Sequence, residues 1–513
     1  MLILLPIVFF LYSNFQSIDK SLKLRNFFNI FSDSRQQLLL VRSLLISIGA
    51  TTFATFIGMT LGILIAKCRI PFKRFFTIIF ISPLLIPPYI IGICWITLLG
   101  QKGWINNILI KILDIKKPLF TIYGTFACVC VLAFAYFPII FISTLSGFKS
   151  IEQSYEDAAL LITSRKKVIM KVLIPLISPI LIPAMIFVFI LSIADFGVPA
   201  LLRVNVYTVE IFTQFGAFYD FRKATSTAMP LLFIIISTIL VQQMIFKKRE
   251  LIILTGKRRN LKLWELGIWK HICLIYFIII SVITLILPVI VLISDTLEIG
   301  LYKKAIINGF IPIKSSILFS ALSATLSIVI VLFISLQKIR TRRDKIVEIL
   351  VLLPFILPGS IVGLALINFW NKGGIYQLVY GSFLIIIIAH LIRFLFIPYI
   401  IIGNSYRQID DSLEQAGYIC GGKLWRVLSK IIIPLLKPSI LSAWVIFFIL
   451  SVGELAMTIM IYPPGYETLP IRLFSQMHYG PYALVHSFCI TMILISLIPI
   501  MFVYFFISKG IKG

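Results

Sequence analysis

Carboxylates and histidines are what this chain has least of: 20 Asp and Glu stand against 47 Lys and Arg in 513 residues, and there are four histidines. With so few, no His, Asp or Glu cluster builds a metal centre or an enzyme inside a membrane. Tyr462, His478 and Tyr479 lie near one another in sequence, but one histidine and two tyrosines make no ligand set. The seven cysteines lack metal-ligand or disulfide spacing. Cys128 and Cys130 share an apolar run and Cys68, Cys94, Cys273, Cys420 and Cys489 are scattered, so all read as free thiols. Charge is sparse as well, at 13%, whereas 60% of residues are hydrophobic and the mean hydropathy is +1.05. A soluble domain carries roughly 25% charged and 45–50% apolar residues, so that class is excluded.

What is present is a series of long apolar runs. At about 20 residues per membrane crossing, they fall near 1–15, 44–66, 76–99, 119–145, 176–197 and 229–246, then near 271–294, 315–336, 346–370, 378–403, 435–460 and 486–508. This is an all-α, polytopic membrane protein of about twelve helices. Its start, MLILLPIVFFLY, lacks a basic lead and a small-residue cleavage site and reads as a short first span, not a signal peptide. The net charge of +27 comes from short basic clusters between apolar runs, which suits loops facing an anionic leaflet and not nucleic acid. When spans alternate, Lys67, Arg69, Lys73 and Arg74, the stretch KKRELIILTGKRRNLK and the run KIRTRRDK share one side. That side is cytoplasmic, as are both termini.

The twelve spans are two sets of six. Pro83, Pro87 and Gly92 recur as Pro354, Pro358 and Gly363 at a constant offset of 271; Pro138 answers Pro398, and LSIAD at 191–195 answers LSVGE at 450–454. The chain is therefore an internal duplication: a first half at 1–246, a basic cytoplasmic linker at 247–270 and a second half at 271–513. Parallel repeats predict a pseudo-two-fold along the membrane normal.

One polar stretch also occurs twice. Residues 154–175 read SYEDAALLITSRKKVIMKVLIP and 412–434 read SLEQAGYICGGKLWRVLSKIIIP. Each predicts a short surface helix with a carboxylate, Glu156 or Glu414, in the first turn, where the positive dipole end favours it. Small residues follow, Ala158 and Ala159 or Ala416 and Gly417, which let another backbone approach. A basic patch comes next, and Pro175 and Pro434 are expected to stop the surface helix and start the next span.

Both stretches resemble the EAA loop of permease subunits of binding-protein-dependent ABC importers. That pattern is Glu-Ala-Ala, three residues, Gly, nine residues, then Ile-x-Leu-Pro. In the second copy Gln415, Ala416 and Gly417 take the Glu-Ala-Ala places, Gly421 the glycine, and Ile431 and Pro434 the end. The first copy, with Asp157, Ala158 and Ala159, has Thr163 in place of glycine and one residue fewer before Val172 and Pro175. The resemblance implies a fused permease without an ATPase site or bound cofactor, whose loops insert into two copies of a cytoplasmic ATPase subunit that uses ATP. It also implies a periplasmic or lipid-anchored substrate-binding protein and a place in the bacterial inner membrane. ADFGVPALL and YPPGYETLPIRLF are most similar to ferric-iron permeases, while thiamine, phosphonate and polyamine permeases share the fold.

Asp195 and Glu454 occupy matching positions about 30 Å of helix beyond Pro175 and Pro434. They read as an acidic pair at the outer gate or as helix-end carboxylates bonded to nearby amides. Behind each comes an amphipathic loop in which Thr208 is expected to align with Thr468. His390 and Arg393, one turn apart in an apolar run, are expected to face protein or water and not lipid. GYICGGKL at 417–424 has phosphate-loop spacing, but Leu424 stands where Ser or Thr must bind magnesium, and no strand precedes it. A secondary transporter driven by an ion gradient is the alternative class; it would carry broken helices with midplane ionisable residues and need no cytoplasmic knob.

Overall fold

The computed structural model describes residues 5, 6, 8–10, 33–114, 117–246, 263–296, 299–338 and 344–510. Among them the chain is helical, with no strand and one isolated parallel bridge between Cys68 and Trp264. Eight helices are long and apolar enough to cross a membrane, and eleven if each of three bent pairs counts as one span. These eleven correspond to all the expected spans but the first, which lies mostly outside the described residues, as do linker residues 247–262. The chain is a multi-pass membrane protein.

Three of the expected spans are not straight. Lys73–Leu85 meets Pro88–Leu113 at 98°, and Val347–Ile356 meets Gly359–Trp370 at 108°. The breaks fall at Pro87 and Pro358, equivalent prolines of the repeat, with nearly identical backbones (φ −54°, ψ 137° and φ −52°, ψ 138°). Proline disfavours the α conformation in the residue before it, and Ile86 is extended (φ −107°, ψ 121°). The third bent pair is Leu384–Phe394 with Phe396–Tyr406, at 50°.

Pro175 and Pro434 do not separate a surface helix from a span, as the sequence suggests. The surface helices end earlier, at Ile162 and Ile419, and the basic residues, apart from Lys423 at the N-cap, already belong to the continuous helices Arg165–Ala194 and Leu424–Val452. A π turn, Ile169–Leu173 or Leu428–Ile432, lies just before each proline. It shifts the hydrogen-bond register by one where the proline lacks a donor, so the helix runs through. The same device, Val282–Ile286, precedes Pro288.

The chain divides into two compact units, Lys23–Ser294, and Met1–Leu22 together with Asp295–Gly513. Trp269–Ser294, which the sequence reading puts at the start of the second half, packs in the first unit, where the Phe277 ring lies 5.2 Å from Phe76 and 5.3 Å from Phe80 and Tyr276 shares a 2.8 Å hydrogen bond with Thr60. The core of that unit rests on small residues at every fourth position of Ser34–Lys67, namely Ala50, Ala54, Gly58 and Gly62, laid against Thr125–Ser150. A Cβ at Gly58 would lie 2.6 Å from the Phe137 carbonyl oxygen. Gly58→Ala is expected to lower stability by about 1–3 kcal/mol, the cost of overpacking; an unchanged thermal midpoint in detergent would contradict this contact. In the other unit, Ile299–Lys338 instead buries Ser320, Ser323 and Ser327, and the last two return their hydroxyls to carbonyls of their own helix.

Candidate functional site

In the first copy of the repeated loop, Gln153–Ile162 is the expected short helix, and Glu156 sits in its first turn. Its carboxylate does more than meet the helix dipole. It is fully buried and ion-paired with Lys67, the last residue of Ser34–Lys67, and the two side chains are 0% and 1% exposed. The Lys67 ammonium also lies 5.7 Å from the Phe148 ring centre, and Glu156 Oε1 has no hydrogen-bond partner among the described residues. The helix therefore hangs from the first long span by a desolvated charge pair.

The second copy, Asp411–Ile419, is held by neutral groups. Tyr406 and Tyr418 donate their hydroxyls to Glu414 at 3.1 and 3.2 Å. Asp410 caps this helix, accepting from the Ser412 amide at 2.9 Å; that amide, and then the Ser412 hydroxyl, hold its carboxyl below the ordinary aspartate range. Gly421 is left-handed, with φ +76°, whereas Thr163 ends the first helix in extended backbone, with φ −149°. A threonine does not take the left-handed turn cheaply, which explains both the missing glycine and the shorter loop of the first copy.

The small residues divide in role. A Cβ on Gly417 would fall 2.8 Å from Ile431 Cδ1, so Gly417 makes room for its own loop and not, as the sequence suggests, for another backbone. Ala159 likewise packs on the core of its unit. The outward face is instead Asp157, Ala158, Leu161 and Ile162 in the first copy and Gln415, Ala416, Ile419 and Cys420 in the second, at equivalent positions. Leu161 and Ile162 are each 89% exposed, Ile419 is 85% exposed, and Leu413, one turn before Ala416, is 47% exposed.

At the far ends of the helices that follow, Asp195 and Glu454 take up equivalent geometry. Asp195 Oδ1 accepts from the Val198 amide at 2.8 Å, and its carbonyl accepts from the Thr208 hydroxyl at 2.8 Å. Glu454 accepts from the amides of Met457 and Thr458, both at 2.9 Å, and from the Thr458 hydroxyl at 2.5 Å. Each carboxylate thus caps the short helix after it, Gly197–Leu201 or Thr458–Ile461. They differ in their cross-chain partner: Arg393 donates to Glu454 at 2.9 Å, while Tyr136 reaches Asp195 at 3.5 Å. Gly359 leaves the guanidinium its space, since a Cβ there would lie 1.9 Å from Arg393 Nη1. His390, beside this pair, is buried, and neither ring nitrogen has a partner among the described residues.

The amphipathic helices behind the carboxylates begin at Tyr207 and Leu469, so these two are equivalent and the expected alignment of Thr208 with Thr468 is off by two. The Tyr207 amide donates to Ser43 at 3.1 Å and the Leu469 amide to Ser316 at 2.7 Å, which ties each helix to the long span of its own unit. One turn on, Glu210 binds Arg35 at 3.0 Å, whereas its counterpart Arg472 donates to the Asn308 carbonyl at 3.3 Å.

The chain is 26% identical over 392 residues to the putative ferric transport system permease protein FbpB 1 of Haemophilus influenzae, covering 72% of this chain and 61% of that one. It is 24% identical over 445 residues to the ferric transport system permease protein FbpB of Actinobacillus pleuropneumoniae, covering 82% and 64%. A third relative, the Fe(3+)-transport system permease protein FbpB 2 of Haemophilus influenzae, is 22% identical over 478 residues, covering 90% and 88%. The chain thus spans about three-fifths of the length of the first two relatives and most of the third. The domain described as "Binding-protein-dependent transport system inner membrane component" matches residues 58–250 and again 316–512, a span that holds both loop helices and both carboxylates, and the chain belongs to that family, carrying its domain twice.

Proposed function

We propose that this chain is the transmembrane permease of an ATP-driven importer in the bacterial inner membrane, with ferric iron as its substrate. The observation that carries this reading is the pair of equivalent short helices, each tied inward by its glutamate and each offering an alanine and a large apolar residue outward: Ala158 with Leu161, Ala416 with Ile419. Two copies of a cytoplasmic ATPase subunit seat on these faces, so ATP is bound and hydrolysed outside this chain, which is itself no enzyme. Closure of the ATPase pair pulls on the loops. The pull passes along Arg165–Ala194 and Leu424–Val452 to Asp195 and Glu454, which we assign to the outer gate, on the side where a periplasmic or lipid-anchored binding protein delivers substrate. The basic loops support a topology with both termini on the ATPase side.

Iron is favoured over thiamine, phosphonate or polyamine because the three ferric permeases above match most of this chain. Broken helices no longer speak for a gradient-driven transporter, since here they follow from Pro87 and Pro358 inside a family of binding-protein-dependent systems.

The test uses proteoliposomes holding the chain, its ATPase and its binding protein. ATP hydrolysis is expected to rise with Fe(III)-loaded binding protein and not with thiamine. The stimulation is expected to disappear when Leu161→Asp and Ile162→Asp are combined with Leu413→Asp and Ile419→Asp. These positions are exposed, so the fold is spared, unlike changes at buried Glu156. Full stimulation of the quadruple variant, or uptake that follows an ion gradient without the ATPase, would overturn the reading.

A further inference from the structure

The first loop has a fastening that the second lacks, and it comes from the end of the linker. The Trp264 amide donates to the Lys67 carbonyl at 2.7 Å, and the Arg69 amide donates to the Trp264 carbonyl at 3.0 Å, so one residue of the linker lies as a parallel strand partner on the turn Lys67–Arg69. The Trp264 indole is buried under Arg165, whose guanidinium carbon is 5.6 Å from the ring centre. Arg165 also donates to the Glu265 carbonyl at 3.4 Å, Leu266 packs on the core of the unit, and Gly267, with φ +54°, turns the chain into the next helix. The Arg69–Glu265 pair is exposed on both sides and adds little.

This strap touches the loop at both ends. Lys67, whose carbonyl receives Trp264, is the residue whose ammonium holds Glu156; Arg165 is the first residue after the loop helix turns back into the membrane. Gln153–Ile162 is thus clamped between two points that share Trp264. Cys68, beneath the strap, is buried, and burial pushes its thiol up to about 11, so it is a packing group and not a nucleophile at neutral pH. Among the described residues, no bridge of this kind meets Asp411–Ile419.

We propose that the segment Leu263–Leu266 positions the first coupling loop for its ATPase subunit, with Trp264 as the positioning residue, so that joining the two halves in one chain stiffens one coupling contact and leaves the other dependent on its tyrosines. The inference rests on the coupling-loop reading above. It makes the two contacts unequal although the loops are repeats.

Binding of the purified ATPase subunit to the detergent-solubilised full chain tests it, in two backgrounds. With Leu413→Asp and Ile419→Asp only the first loop can bind, and there Trp264→Ala is expected to weaken binding on the order of tenfold, with Trp264→Phe restoring most of it because the ring is kept. With Leu161→Asp and Ile162→Asp only the second loop can bind, and Trp264→Ala is expected to change nothing. General damage to the fold would weaken both backgrounds. Equal loss in both, or no loss in the first, overturns the inference while leaving the loops as docking elements. If Trp264→Ala yields no folded protein, Arg165→Gln, at an exposed position, is expected to weaken the first background alone about threefold; unaltered binding overturns the strap. If the two backgrounds themselves bind as tightly as the parent chain, the coupling-loop reading falls, and this inference with it.

Discussion

Changing Glu156 to Ala is expected to lower the stability of the Lys23–Ser294 unit by about 3–5 kcal/mol and to abolish coupling to the ATPase. The carboxylate faces the Lys67 ammonium with both side chains out of water, and removing one partner strands the other charge in a site that cannot solvate it. Replacing both partners, Lys67→Met with Glu156→Met, is expected to return stability to within about 1 kcal/mol of the parent, because the burial cost of two charges goes with their attraction. Glu414→Gln is expected to cost only about 1 kcal/mol, since an amide oxygen still accepts from the Tyr406 or Tyr418 hydroxyl. Thermal unfolding in detergent, followed by capture of the ATPase subunit, measures both effects. A Glu156→Ala midpoint equal to that of Glu414→Gln would mean that the first loop is not hung from a desolvated pair.

The contrast between the loops marks how far sequence reading reaches. Runs of apolar residues, a constant offset of 271 between equivalent prolines and a repeated polar stretch are local or periodic signals, and the spans, the duplication and the two loop helices were legible from them. The bends were legible in principle: proline after Ile86 and after Leu357 disfavours an α conformation before it, yet an apolar run counted for length alone hides this. The π turns before Pro175, Pro288 and Pro434 are a response to proline that no composition shows. What holds the loops was not legible, because Lys67 and Glu156 are 89 residues apart and Arg165 and Glu265 are 100 apart. Lys67 reads as one more basic residue at the end of a span until Glu156 is seen beside it. Gly417 reads as a small residue in an alanine place of the motif and Gly421 as its glycine; the first clears space for Ile431 and the second takes a left-handed turn.

Glu454→Ala is expected to destabilise its unit by about 3–5 kcal/mol, and Asp195→Asn by only about 1 kcal/mol, although the two carboxylates occupy equivalent places. Glu454 neutralises Arg393, whose side chain is 17% exposed and has Gly359 against it, and caps two amides besides. Asp195 caps the Val198 amide, and its long contact to Tyr136 involves no opposite charge, so an Asn oxygen still accepts from that amide. The consequence bears on the gate. Loss of uptake in Glu454→Ala cannot separate a role in the path from loss of the fold, whereas Asp195→Asn keeps the helix cap and removes the charge alone. Uptake that fails in Asp195→Asn with an unchanged thermal midpoint assigns the charge itself to transport. Uptake that persists there, and in Glu454→Gln combined with Arg393→Met, reduces both carboxylates to caps that aim Gly197–Leu201 and Thr458–Ile461, and the electrostatic part of the gate must then come from other residues.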